Sequence, residues 1–181
     1  MFESQHEAVS IRRPVPAAAT DAARLLAEVW AVDEHGLPAV PVDPILIADK
    51  LGLDVFVADM NEDFAGVLEA RPGADPAVYL NRNDSRNRQR FTCAHEIGHY
   101  YHRTKNGELT YRFNDRRDGL ARQGTDPDEI YANQFGAALI MPEGQVRRLC
   151  RTMGRVELAV RFGVSEDAMR YRLVNLGLAA G

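Results

Sequence analysis

Apolar side chains fall at helical spacing over Leu25, Leu26, Val29 and Trp30. That stripe predicts a helix capped at Thr20-Asp21, running to about His35 and stopped by Gly36 and Pro38. Asp43 followed by Pro44 reads as the N-cap and first residue of a short helix that closes at Gly52. From there the period changes. Residues 53–60 alternate and are rich in branched and aromatic side chains, the signature of a strand. Residues 64–70 and 77–81 read as two more strands, and the Pro-Gly turn signal at 71–76 separates them. Asp84 or Ser85 can cap a long helix reaching about His102, and a strongly apolar helix starts at Asp126-Pro127 and ends at Pro142. Between the two, residues 104–126 are charged and lack periodic apolar positions, which predicts a long surface loop. The last stretch reads as helix, Gly163-Val164 turn, Ser165 cap and helix.

These elements predict an α+β fold. A small, mainly antiparallel three-stranded sheet packs with helices, and a helix-turn-helix-like segment follows at the C-terminus. Residues 1–19, polar and then rich in Pro and Ala, read as a flexible N-terminal arm. Residues 20–145 read as the main domain and 146–181 as the C-terminal helical segment.

Composition narrows the class. The 181 residues are 45% hydrophobic, enough for a core, and the formal net charge is −4, so no basic surplus points to nucleic acid. Two cysteines, Cys93 and Cys150, make no disulfide scaffold. With no secretory signal read at the start and no apolar run of membrane length, the expectation is a cytoplasmic protein without a membrane span.

One stretch carries chemistry: His95-Glu96-Ile97-Gly98-His99. On a helix, residues four apart are about 6 Å apart along the axis and share a face, so two imidazoles there can reach one zinc ion. Glu96 lies roughly 100° around the helix, placed to take a proton from water that the metal has acidified. The apolar flanks put this segment on a buried helix, where two imidazoles and a carboxylate need partners. Gly98 is unfavourable in a helix interior by about 0.8–1.0 kcal/mol relative to Ala, so close backbone approach or substrate access must account for it. Cys93, one turn before Glu96, is either a thiol near the metal or a small buried hydrophobe, and the second reading suits it better.

A third ligand has to come from elsewhere. His102 shares the face, but it lies about 10.5 Å along the axis from His95, too far to share a metal; packing or an outer contact suits it better. Position 105, where a third histidine would follow at another known spacing, is Lys105. On the next apolar helix, Glu129 and Asn133 share a face four residues apart. Glu129 is either a buried carboxylate paired with a cation or a helix-start acid beside Asp126 and Asp128 that complements the dipole. In the first case Asn133 is placed to hydrogen-bond a ligating histidine and fix its tautomer.

The runs from Arg88 to His102 and from Glu129 to Pro142 resemble the two motifs of the ImmA/IrrE family of metallo-endopeptidases, and the likeness extends over roughly residues 40–177. Only two departures stand out: Gly136 where the family usually carries Ala, and Cys93 where an aliphatic residue is common. The resemblance implies a zincin-like minimal metalloprotease core. It implies zinc as the single catalytic ion, with manganese as the alternative, held by His95, His99 and Glu129, and Glu96 as the catalytic acid/base. Family members are cytoplasmic, and several cut a helix-turn-helix repressor to switch on a stress regulon or mobile element. The implied partner is therefore a protein substrate such as a transcriptional repressor encoded nearby. Tyr100, Tyr111 and Tyr131 are candidate oxyanion donors. The 104–126 loop, with Arg112, Arg116, Arg117 and Arg122 set against Glu108, Asp115 and Asp118, is either a lid or a solvated loop.

The rival reading is a DNA-binding or sensor module whose metal site is structural or vestigial. It rests on the C-terminal segment, with Arg170 and Arg172 on its second helix. Glu157, Glu166 and Asp167 offset those arginines, whereas phosphate binding needs a surplus of cations. Arg172 also occupies a position where such a unit usually buries an apolar side chain. Packing against the main domain or docking a partner protein therefore fits the segment better. Arg88 and Arg90, ahead of the histidines, belong to a basic run that reads as a solvated helix start or as partners for buried carboxylates.

Overall fold

The computed structural model describes residues 16–71, 73–107, 111–116 and 126–178. The order is α1 (Pro16–Val29), α2 (Pro44–Lys50), β1 (Asp54–Ala58), β2 (Phe64–Ala70), β3 (Ala77–Asn81), α3 (Arg86–Lys105), β4 (Tyr111–Arg116), α4 (Pro127–Ile140), α5 (Glu143–Leu149), α6 (Arg155–Phe162) and α7 (Glu166–Asn175). The α+β expectation holds, and the sheet is mainly antiparallel. Its strand order is β1-β3-β2-β4, with β2 antiparallel to both neighbours and β1 parallel to β3.

The fourth strand corrects the reading of 104–126 as uniform loop. Residues 111–116 pair with β2, from Phe64 opposite Arg116 to Ala70 opposite Tyr111. Their alternation is hard to see because polar or charged residues fill four of the six positions of this edge strand, where charge blocks unwanted pairing. The rest of the proposed lid, including Arg117, Arg122, Glu108 and Asp118, lies outside the described residues, as do the side chains of Arg112, Asp115 and Arg116. So does the arm through residue 15; Pro16–Ala19 belong to α1.

Helix α1 ends at Val29 rather than near His35. The cause is Asp33, whose Oδ1 accepts from the backbone N–H of both His35 and Leu37 and so folds a turn. Helix α2 starts as expected, with Asp43 capping Ile45. Ser85 caps α3 by accepting from the Arg88 N–H, and Asp126 caps α4 with Pro127 in its first turn.

Helix α3 forms the centre of the molecule, packed on β2 and β3 on one side and on α4 on the other, while α1 covers α4. Two glycines set how closely α3 and α4 approach. A Cβ at Gly98 would meet Ala132 Cα at 3.0 Å and Ala132 O at 3.2 Å, and one at Gly136 would meet His95 N at 3.0 Å. Close backbone approach is therefore what Gly98 serves. A Gly98→Val substitution should cost about 1–3 kcal/mol through overpacking, more than the fraction of a kcal/mol that helix propensity returns. Urea unfolding checks this: a midpoint at or above that of the parent chain would contradict it.

The C-terminal helices share this core. Leu158, Phe162, Val164, Met169 and Leu173 are buried in one cluster with Leu139, Ile140 and Met141. Arg172 is 5% exposed and donates to the Met141 carbonyl at 3.0 Å, closing the end of α4. Burial pulls its guanidinium down to about 10, still well above neutral pH.

Candidate metal centre

The close crossing of α3 and α4 determines which side chains meet. His95 and His99, one turn apart on α3, face Glu129 in the first turn of α4, and a nitrogen or oxygen from each lies within 4.8 Å of the others. His95 Nε2 and His99 Nε2 are 3.0 Å apart, His99 Nε2 is 3.2 Å from Glu129 Oε1, and His95 Nε2 is 3.4 Å from Glu129 Oε2. Donors around a tetrahedral ion with bonds near 2.0–2.1 Å sit about 3.3–3.4 Å apart. The three side chains therefore fit a metal ion with only small adjustments. They could hold one, and the donor set of two imidazoles and a carboxylate matches the ligands zinc accepts.

The electrostatics agree with this. His95 and His99 are 2% and 1% exposed, and Glu96 is wholly buried. Burial drives the His99 imidazole down to about 3, with the nearby Arg103 pushing the same way. The ring is then neutral at physiological pH and has a lone pair to offer; its contact with Glu129 is not an ion pair. Burial also raises the Glu129 carboxyl above its usual range, with Asp126 and Asp128 adding to the rise and His95 opposing it. A carboxylate in this position has lost its water, and a divalent cation would compensate for that loss.

Asn133 lies where expected. Its Oδ1 is 3.1 Å from His95 Nδ1, so the ring donates from Nδ1 and turns the Nε2 lone pair toward the cluster. His102 stands apart from the cluster. Its ring stacks on Tyr131 with centroids 4.3 Å apart, and its Nδ1 is 3.7 Å from Asp128 Oδ1, a packing position. The Tyr131 hydroxyl donates to Asp21 Oδ2 at 2.8 Å, which removes this residue from the oxyanion candidates. Lys105 also binds Asp21, at 3.0 Å, and although burial alone would raise the Asp21 carboxyl, these contacts hold it low. The Tyr111 side chain lies outside the described residues. Burial lifts the Cys93 thiol well above its usual range, with Glu96 and Asp43 adding, so it stays protonated and inert.

Two features escaped the sequence reading. Gly66 on β2 lies directly against the Glu96 side chain: a Cβ there would stand 3.0 Å from Glu96 Oε1. Among the described residues Arg90 makes no ion pair with a carboxylate; it donates to the carbonyls of Gly163 at 3.0 Å and Val42 at 2.6 Å. A cavity of about 540 Å³ runs between α3, α4 and α7 and meets the cluster only at Asn133, on the far side of the His95 ring.

A family profile described as the IrrE N-terminal-like domain, Peptidase_M78, matches residues 48–174. No curated protein matches the chain. Among solved structures, a Mycobacterium tuberculosis transcriptional regulator is similar, with a TM-score of 0.55 and 18% identity over 87% of this chain. The chain spans 46% of that structure's length, and likeness at this identity concerns the fold.

Proposed function

Because the chain belongs to the IrrE N-terminal-like domain family of peptidases, we propose that it is a zinc-dependent endopeptidase that cuts a specific protein partner. The observation that carries this is the meeting of His95, His99 and Glu129 within 4.8 Å. These three hold the ion in the proposal, and Asn133 keeps His95 in the ligating tautomer. Bound zinc supplies Lewis acidity toward a peptide carbonyl and acidifies water. Glu96 takes the proton from the attacking water and passes it to the departing amine.

Edge strand β4 offers a place for an extended substrate to add as a further strand. The partner class we favour is a helix-turn-helix repressor encoded beside this gene, with the cleavage acting as a switch in a stress or mobile-element response. We place the enzyme in the cytoplasm, in keeping with two free thiols. No described helix is long and apolar enough to cross a membrane. Two observations disfavour DNA binding by the C-terminal helices: Arg172 is turned inward, and Arg170 lies 3.7 Å from Asp167.

Incubating the purified chain with the product of an adjacent repressor gene tests the proposal. One discrete cut is expected; a chelator should stop it and added zinc should restore it. Cleavage indifferent to chelation would overturn the metal chemistry.

A further inference from the structure

Thr92 is left unexplained by the chemistry above. It sits on α3 with 0% exposure, and its Oγ1 has no hydrogen-bond partner among the described residues. A helical threonine commonly returns its hydroxyl to a carbonyl one turn back; this one does not. A buried hydroxyl without a partner is a net cost to folding, so a side chain that keeps it needs another reason to be there.

Its surroundings supply that reason. Thr92 and Glu96 are four residues apart on one helix, so their side chains are neighbours on one face. Both border the space that Gly66 leaves open. A Cβ built there would stand 2.4 Å from Thr92 Cγ2 and 3.0 Å from Glu96 Oε1. Threonine in a helix populates two χ1 positions, and one staggered step carries the hydroxyl into a neighbouring slot. Hydrogen bonds in catalytic sites also commonly tighten only once substrate is bound.

We propose that Thr92 is the positioning residue for Glu96. Its hydroxyl donates to the Glu96 carboxylate and fixes the direction in which that group accepts and releases its proton. Gly66 keeps the room in which the threonine turns. If Thr92 served packing alone, valine would fill the same shape without the cost of the hydroxyl.

The kinetic part of the test rests on the peptidase reading; the melting part does not. Thr92→Val should lower kcat about 10- to 100-fold with KM and metal content unchanged. Thr92→Ser should recover most of the rate. In the metal-free protein, Thr92→Val should melt at or above the parent temperature. The kcat losses of Thr92→Val and Glu96→Gln should be non-additive in the double variant, because the hydroxyl acts only through the carboxylate. Additive losses, a Thr92→Val enzyme with parental kcat, or a Thr92→Val chain that melts below the parent would overturn the assignment. A Thr92→Val chain that melts at or above the parent, in a protein that cuts no partner, would support the unsatisfied hydroxyl while counting against the peptidase reading.

Discussion

Glu96→Gln should leave the protein folded and metal-loaded and cost at least about 10²- to 10⁴-fold in cleavage, the usual worth of a positioned acid/base. The residue is wholly buried against β2, where a Cβ at Gly66 would already be 3.0 Å from its Oε1. Glutamine has nearly the same shape, so the packing survives. It cannot accept a proton from water at neutral pH, so the proton transfers stop. The atoms proposed to hold the metal belong to His95, His99 and Glu129 and are untouched. Metal content after dialysis and cleavage on a gel are the two readouts. A variant cutting at more than a tenth of the parental rate would show that another group moves the proton.

Glu129→Gln should reverse the order of stability with and without metal. Burial raises the Glu129 carboxyl. A carboxyl raised in the folded state costs nothing at a pH below its unfolded value, near 4.3, and destabilises increasingly as pH rises through that value. At neutral pH the metal-free wild-type chain carries that penalty and the glutamine variant does not, so the variant should melt higher. With zinc the order inverts, because a ligand that binds only the folded state stabilises it in proportion to its affinity, and the variant has lost an anionic donor. An affinity loss of more than about 100-fold is expected, beyond what outer hydrogen-bond partners usually contribute. Calorimetric melts at fixed pH, with and without zinc, settle the matter. If the two proteins kept the same order in both conditions, Glu129 would be no ligand.

Much of this arrangement was legible in the chain, for reasons that are local. The caps at Ser85 and Asp126, the proline at 127 and the apolar runs behind them define α3 and α4 over spans of a few residues. Helical spacing then assigns His95 and His99 to one face and Glu129 and Asn133 to another. That the two faces meet depends on the glycines at 98 and 136; the cost of glycine in a helix pointed to close approach at Gly98, whereas Gly136 stood out only as a departure from the family's Ala. Features that depend on distant partners were not legible. Strand β4 is polar and pairs with β2 more than forty residues earlier. The Tyr131 hydroxyl answers to Asp21, 110 residues away. The clearance at Gly66 exists only once β2 lies across α3. Helix α1 was overestimated because the turn at Asp33 is made by a side chain competing with the backbone, which apolar periodicity does not register.

Arg90 bears on how a partner could be sensed. Its guanidinium is lodged under the carbonyls of Phe162 and Gly163, at the negative end of α6, and also under that of Val42 ahead of α2. The side chain acts as a latch between the last two helices and the stem of α3, about 7.5 Å along the axis from His95. Those two helices cannot slide as a body without either breaking the latch or tugging the rod that carries the imidazoles. A protein seated on the tail would thus have a mechanical line to the turn that carries His95 and His99 without coming near it.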